Sequence, residues 1–203
     1  MAIARRHPWL TATTLALAVA LLLTTVLGGW ARSTPDGAVS VAPGTAVDAM
    51  PFRVRLDEAA AGFTLDGRDA EPGQAFIVVT GQIESMAPES VTSTPLTDAI
   101  TADLSSSYDQ FGSPTEVPEP GVRVAADGSS LLGLGPGLLY DVQVTFVVDE
   151  DSVPDRLTVT LLEHTRRASA LDGDLGWYDA APVARLTLDV APLPAVRPEP
   201  EGF

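Results

Sequence analysis

Residues 139–148 read LYDVQVTFVV. Tyr140, Val142, Val144, Phe146 and Val148 fall on one side of an extended chain, and Asp141, Gln143 and Thr145 on the other. Successive side chains of a strand point to opposite faces, so this period of two predicts a strand with one dry face and one wet face. The same period recurs upstream in AFIVVTGQIE, residues 75–84. There Ala75, Ile77, Val79 and Ile83 share one face, and Phe76, Val78, Thr80, Gln82 and Glu84 share a partly wet one. It recurs in FRVRL, with Phe52, Val54 and Leu56 inward and Arg53 and Arg55 outward. Downstream, RLTVTLLEH places Leu157, Val159 and Leu161 inward, and VARLTLDV does the same for Ala184, Leu186, Leu188 and Val190.

Turn signals separate these runs. LDGRDAEPGQ (residues 65–74) and DEDSVPD (residues 149–155) are dense in Gly, Pro and Asp, the residues that tolerate turn dihedrals or cap turn amides. Two weaker runs, residues 96–104 and 122–126, complete the set; the first is also compatible with a helical turn. About seven short strands with turns between them predict an all-β, two-sheet sandwich. Beyond the N-terminal segment no long run has the 3.6-residue period of a helix, and there is no internal repeat.

The N-terminal segment is of another kind. WLTATTLALAVALLLTTVLGGW, from Trp9 to Trp30, carries no charge over 22 residues. As a helix it would be about 33 Å long at about 1.5 Å per residue, close to the roughly 30 Å of a bilayer's hydrocarbon core. Trp9 and Trp30 bracket it as interfacial aromatics do, and Arg5 and Arg6 ahead of it place the N-terminus in the cytoplasm by the positive-inside rule. The expected organisation is therefore a cytoplasmic N-terminus (1–8), a transmembrane anchor (9–30), a flexible linker rich in Ser, Pro, Gly and Ala (31–46), an extracytoplasmic β domain (47–190) and a Pro-rich disordered tail (191–203). The alternative is a secreted protein released by cleavage after Ala31, with Gly29 and Ala31 at the small-residue positions. The apolar run exceeds the core of about 7–15 residues usual for a cleaved signal, which points to retention.

Composition removes whole classes of chemistry. All 12 basic residues are arginine, so P-loop, Schiff-base and Ser–Lys mechanisms have no lysine to use. There is no cysteine, which excludes disulfides, thiolate catalysis and zinc–thiolate sites. The net charge is −15, and all 27 acids follow the apolar segment. Such a surface repels nucleic acid and anionic lipid headgroups. Two partners are expected: the membrane, through residues 9–30, and an envelope protein.

Two segments carry a family resemblance: PGQAFIVVTGQIES, residues 72–85, and GLGPGLLYDVQVTFVVDEDSVPDRLTVTL, residues 133–161. A valine-rich strand, a Leu-x-Pro-Gly turn filled by Leu134, Pro136 and Gly137, a further strand, and an acidic-proline turn holding Val153 and Pro154 follow in order. Over residues 47–190 the chain resembles the telokin-like, immunoglobulin-like extracytoplasmic domains of bacteria. That family has no assigned function and is related to small secreted antigens of high-GC Gram-positives. It is often marked by an asparagine where this chain has Ser85. The resemblance implies an immunoglobulin-like sandwich without enzyme activity, and supplies no binding residues.

Candidate site residues are few. Only His164 lies beyond the apolar segment as a histidine, so any Ser-His-Asp triad would need it, and no G-x-S-x-G elbow accompanies it. It is expected to be an exposed strand-end residue. No catalytic residue and no cofactor is expected. The acidic turns holding Asp149 and Asp151, and Asp172 and Asp174, are the candidate calcium ligands. Calcium needs about six to eight converging oxygens, and these spacings read first as solvated turns. Phe111, in the long stretch between residues 85 and 120, and Tyr178, after the acidic turn, are the candidate partner contacts. Their neighbour Trp177 is expected to be buried. The functional reading is a membrane-anchored, non-catalytic interaction module in the bacterial cell envelope. The alternatives are the released secreted form and a small-molecule or calcium-binding module.

Overall fold

The computed structural model describes residues 37–109 and 111–193. The expected cytoplasmic N-terminus and anchor (1–8 and 9–30), the first part of the linker, and the tail beyond residue 193 lie outside the described residues. Among the described residues no helix is long and apolar enough to cross a membrane.

The strands run β1 (Val39–Ser40), β2 (Val47–Ala49), β3 (Phe52–Gly62), β4 (Thr64–Leu65), β5 (Arg68–Asp69), β6 (Gln74–Ser85), β7 (Val91–Thr92), β8 (Ile100–Ala102), β9 (Gly121–Val124), β10 (Gly133–Leu134), β11 (Leu139–Asp149), β12 (Arg156–Ala168) and β13 (Leu175–Pro192). A six-residue helix α1 (Ser93–Asp98) precedes β8, and a 3-10 turn (Glu150–Ser152) follows β11. The strand order is β8-β12-β13-β3-β6-β11-β9, with β1 on β13 and β2 on β3. Strand β13 joins two layers. Through Asp189 it is antiparallel to β12, and through Val190, Ala191 and Pro192 it runs parallel to Ala59, Ala60 and Ala61 of β3. A strand that leaves one sheet for the other is a usual corner of a sandwich.

The inward faces read from the sequence are the core. Phe52, Val54 and Leu56 of β3, Ile77, Val79 and Ile83 of β6, and Val142, Val144, Phe146 and Val148 of β11 are all buried in one cluster. Leu157, Val159 and Leu161 of β12 and Ala184, Leu186 and Leu188 of β13 close it from the other layer. Helix α1 adds Leu96, and β8 adds Ile100. The run at residues 96–104 thus divides into the end of a short helix and a short strand.

Period-two reading breaks down in β3, where FRVRL is followed by DEAAAG. Continued alternation would turn Glu58 into the core. A bulge intervenes: Leu56 faces Gly81 and Glu58 faces Thr80, leaving Asp57 as the extra residue. Glu58 is thereby exposed and Ala59 buried. A bulge bends its strand toward the partner, and here the approach admits only glycine. A Cβ on Gly81 would lie 2.1 Å from the Arg55 carbonyl oxygen. The turn between residues 135 and 138 follows the expected Pro-Gly chemistry: Leu138 N–H donates to the Gly135 carbonyl, with Pro136 and Gly137 (φ 66°) between them.

Three expectations change. The sandwich is longer than residues 47–190. Val39 and Ser40 pair with Ala184 and Arg185, and the Leu193 amide donates to the Ala61 carbonyl. Linker composition at residues 37–46 did not prevent backbone pairing, because a short parallel strand needs only free amides and carbonyls. Strands β12 and β13 continue beyond residue 164 and before residue 183 as a two-stranded ribbon, with Arg166 opposite Trp177 and Ala168 opposite Leu175. His164 is buried, at 7% exposure, and its amide donates to the Met50 carbonyl. The chain ahead of β3 crosses over the point where the histidine was expected to meet solvent.

Candidate functional site

One face of the β3-β6-β11 layer packs into the core. The opposite face has two halves. In the first, register places Arg53 beside Glu84, Arg55 beside Gln82, and Gln82 beside Asp141. Arg53 Nε donates to Asp48 Oδ1 at 2.6 Å, and Gln82 Nε2 donates to Asp141 Oδ1 at 2.7 Å. The Arg53 hydrogen bond holds the Asp48 carboxyl below the usual carboxylate range. Exposed pairs of this kind keep a sheet face soluble and contribute little stability.

In the second half, Ala60 lies beside Val78 and Val78 beside Thr145; Gly62 lies beside Phe76 and Phe76 beside Val147. These residues are apolar or small and do not face open solvent. Val78 is 3% exposed and Thr145 8%. Two segments reach over them. The β4–β5 hairpin brings down Leu65, itself buried, and its turn is tied to β9 by Arg123 Nη1 and Asp66 Oδ2 at 3.7 Å. From the other side comes the chain between β8 and β9. Its Tyr108 amide donates to the Val147 carbonyl, and its phenol donates to Asp149 Oδ1 at 2.6 Å. The Asp149 amide in turn donates to Ser106 Oγ. Acceptance by the Asp149 carboxylate raises the Tyr108 phenol above its ordinary pKa.

Between these segments is a groove of 1190 Å³. Phe76, Thr145 and Val147 belong to its strand floor, and Leu65, Tyr108 and Phe111 to its walls. The Phe111 and Ser113 amides both donate to Asp109 Oδ1 at 2.8 Å. This side-chain-capped turn presents Phe111 at 83% exposure; Val117 and Leu132, also lining the groove, are 66% and 76% exposed. Thr145 Oγ1 is buried without a hydrogen-bond partner. A buried hydroxyl left unpaired costs free energy, so its presence on the floor of a groove calls for a reason.

Of the expected partner contacts, Phe111 therefore lies in the groove. Tyr178 does not. It sits on the β12–β13 ribbon with the Arg167 guanidinium 4.7 Å from its ring centroid, and Arg167 also pairs with Asp179. Trp177 is half-buried against the core. The candidate calcium ligands are dispersed in role. Asp149 accepts from Tyr108. Asp151 lies in the 3-10 turn. Asp172 Oδ1 accepts the Asp174 amide at the ribbon tip. Among the described residues no three His, Asp or Glu side chains are grouped to hold a metal ion. Sequence reading missed Thr145, Val117 and Leu132 as groove residues. The available signal was a threonine midway along the most apolar strand.

Among solved structures, the chain is similar to an uncharacterized β-sandwich protein from Clostridium difficile 630, at 9% identity over 75% of this chain and 93% of that one, with a TM-score of 0.43. It is also similar to a conserved hypothetical protein from Bacillus anthracis, at 16% identity over 58% of this chain and 87% of that one, with a TM-score of 0.35. No protein-family model matches the sequence, and no curated protein matches it.

Proposed function

We propose that this protein is a non-catalytic interaction module of the immunoglobulin-like kind, held outside the cytoplasmic membrane by residues 9–30, and that it binds another envelope protein through the groove over β6 and β11. One observation carries the reading. Three large apolar side chains, Phe111, Val117 and Leu132, stand exposed around one groove whose wall is clamped by Tyr108 and Asp149. Loops on a rigid sandwich are a usual place for recognition, and an exposed aromatic held in position is a good anchor. The 22-residue uncharged segment supports the tether. A tethered module meets a membrane neighbour at high effective concentration, so modest contacts suffice.

The absence of lysine makes a clean test available. Carboxyl-to-amine coupling in intact cells attaches this chain's acids to lysines of another protein, and self-coupling is limited to the terminal amine. The expected result is an adduct in the membrane fraction, mapped to carboxylates around the groove. Protein found mainly in the medium, lacking its first 31 residues and carrying no adduct, would support the secreted alternative instead.

A further inference from the structure

We infer that the groove takes an extended protein segment carrying basic and apolar side chains together. This rests on the groove being the partner-binding site and names the chemistry of its occupant. A groove of 1190 Å³ exceeds the roughly 300–1,000 Å³ of small-molecule pockets, and Phe111, Val117 and Leu132 on its lining are exposed to solvent.

Its charge is one-sided. Asp69, Glu71, Asp98, Asp109 and Glu119 line it against two arginines, and one of these, Arg123, is already paired with Asp66. The carboxylates of Glu71, Asp98 and Glu119 make no hydrogen bond and no ion pair among the described residues. The wet half of the same sheet face differs, since there Arg53 serves both Asp48 and Glu84. Carboxylates left unpaired around apolar surface complement an occupant that brings cations and hydrophobic side chains at once. An acidic ligand or a nucleic acid is disfavoured by the same charges.

A second, independent feature points to a peptide. Thr145, 8% exposed on the groove floor, has a hydroxyl with no partner in the protein. A hydroxyl both donates and accepts, so once a turn about its Cα–Cβ bond or a small shift of the covering segments uncovers this one, it can pair with a peptide carbonyl or amide.

The test uses the full chain in neutral detergent and fluorescence anisotropy with labelled peptides of about eight residues. One peptide alternates arginine with leucine, and one alternates glutamate with leucine. Two triple variants lower the acidity equally: Glu71→Gln/Asp98→Asn/Glu119→Gln at the groove, and Asp48→Asn/Glu84→Gln/Asp141→Asn on the wet half. The expected result is binding of the Arg/Leu peptide alone, weakened about tenfold by the groove triple and less than about twofold by the other. Equal weakening by both triples, equal binding of the Glu/Leu peptide, or no binding would overturn the inference. In any of those cases, an in-cell adduct mapped to the groove would leave the partner-binding reading standing, and its absence would remove that reading too.

Discussion

The two halves of the outer face of β6 and β11 are built from the same strands, a few residues apart, and behave differently. At Arg53, Gln82, Glu84 and Asp141 the face is charged, hydrogen-bonded across strands and open to water. At Val78, Phe76, Thr145 and Val147 it is apolar, roofed by the β4–β5 hairpin and the Tyr108 segment, and bordered by a groove. The β3 bulge at Asp57, opposite Gly81, lies at the boundary. The difference teaches that alternation along a strand identifies the core face but says little about the other face. That face is wet or covered according to segments distant in sequence.

The largest effect is expected at the boundary itself. Gly81→Ala would place a Cβ 2.1 Å from a backbone carbonyl that cannot rotate away. We expect a loss of about 3 kcal/mol or more in urea unfolding, or failure to fold. Next comes one substitution made on each side of the boundary. Val78→Lys buries an unpaired ammonium under the roof and should cost about 3 kcal/mol. Thr80→Lys, two residues along on the same face but exposed beside Glu58, should stay within about 0.5 kcal/mol. Equal effects would mean that the roof does not exclude water and would erase the contrast.

A subtler change separates packing from function. Thr145→Val replaces an unpartnered buried hydroxyl by a methyl of similar shape. Removing an unsatisfied group is expected to stabilise the free protein by about 1 kcal/mol and to weaken Arg/Leu peptide binding. A loss of stability would show that the hydroxyl is satisfied within the protein.

The smallest effect serves as a control outside this face. Burial lowers the pKa of His164, against the opposing pull of Asp98. With the folded value below the unfolded one of about 6.5, the neutral ring's contribution is complete above pH 6.5 and is lost as the pH falls through the folded value. The melting temperature should therefore decline as the pH falls below about 6.5, and His164→Gln should flatten that slope. A slope unchanged by the substitution would assign it to carboxylates.

Much of the sandwich is legible in the sequence. The inward residues of β3 up to Leu56 and of β6, β11, β12 and β13 follow from period two alone, because a buried face admits only apolar residues. The bulge is not legible, since the charge at Glu58 reads as the end of a strand when it is in fact a register shift. The β12–β13 ribbon was hidden for a related reason: the acidic turn before Gly176 made GWYD look like loop. At the candidate site, Phe111 was visible as an aromatic within a long polar stretch. Thr145, Val117 and Leu132 were not, because their neighbours belong to other segments. His164 was misplaced for the same reason, its cover coming from the chain around Met50.

The most direct test compares the two halves in living cells. A photo-activated cross-linking side chain is placed at Phe111 in one variant and at Glu84 in another, and adducts are compared after irradiation. A single discrete envelope-protein adduct is expected from position 111, lost when Glu71, Asp98 and Glu119 are neutralised, and none from position 84. Adducts of the same size from both positions, or from position 84 alone, would contradict it.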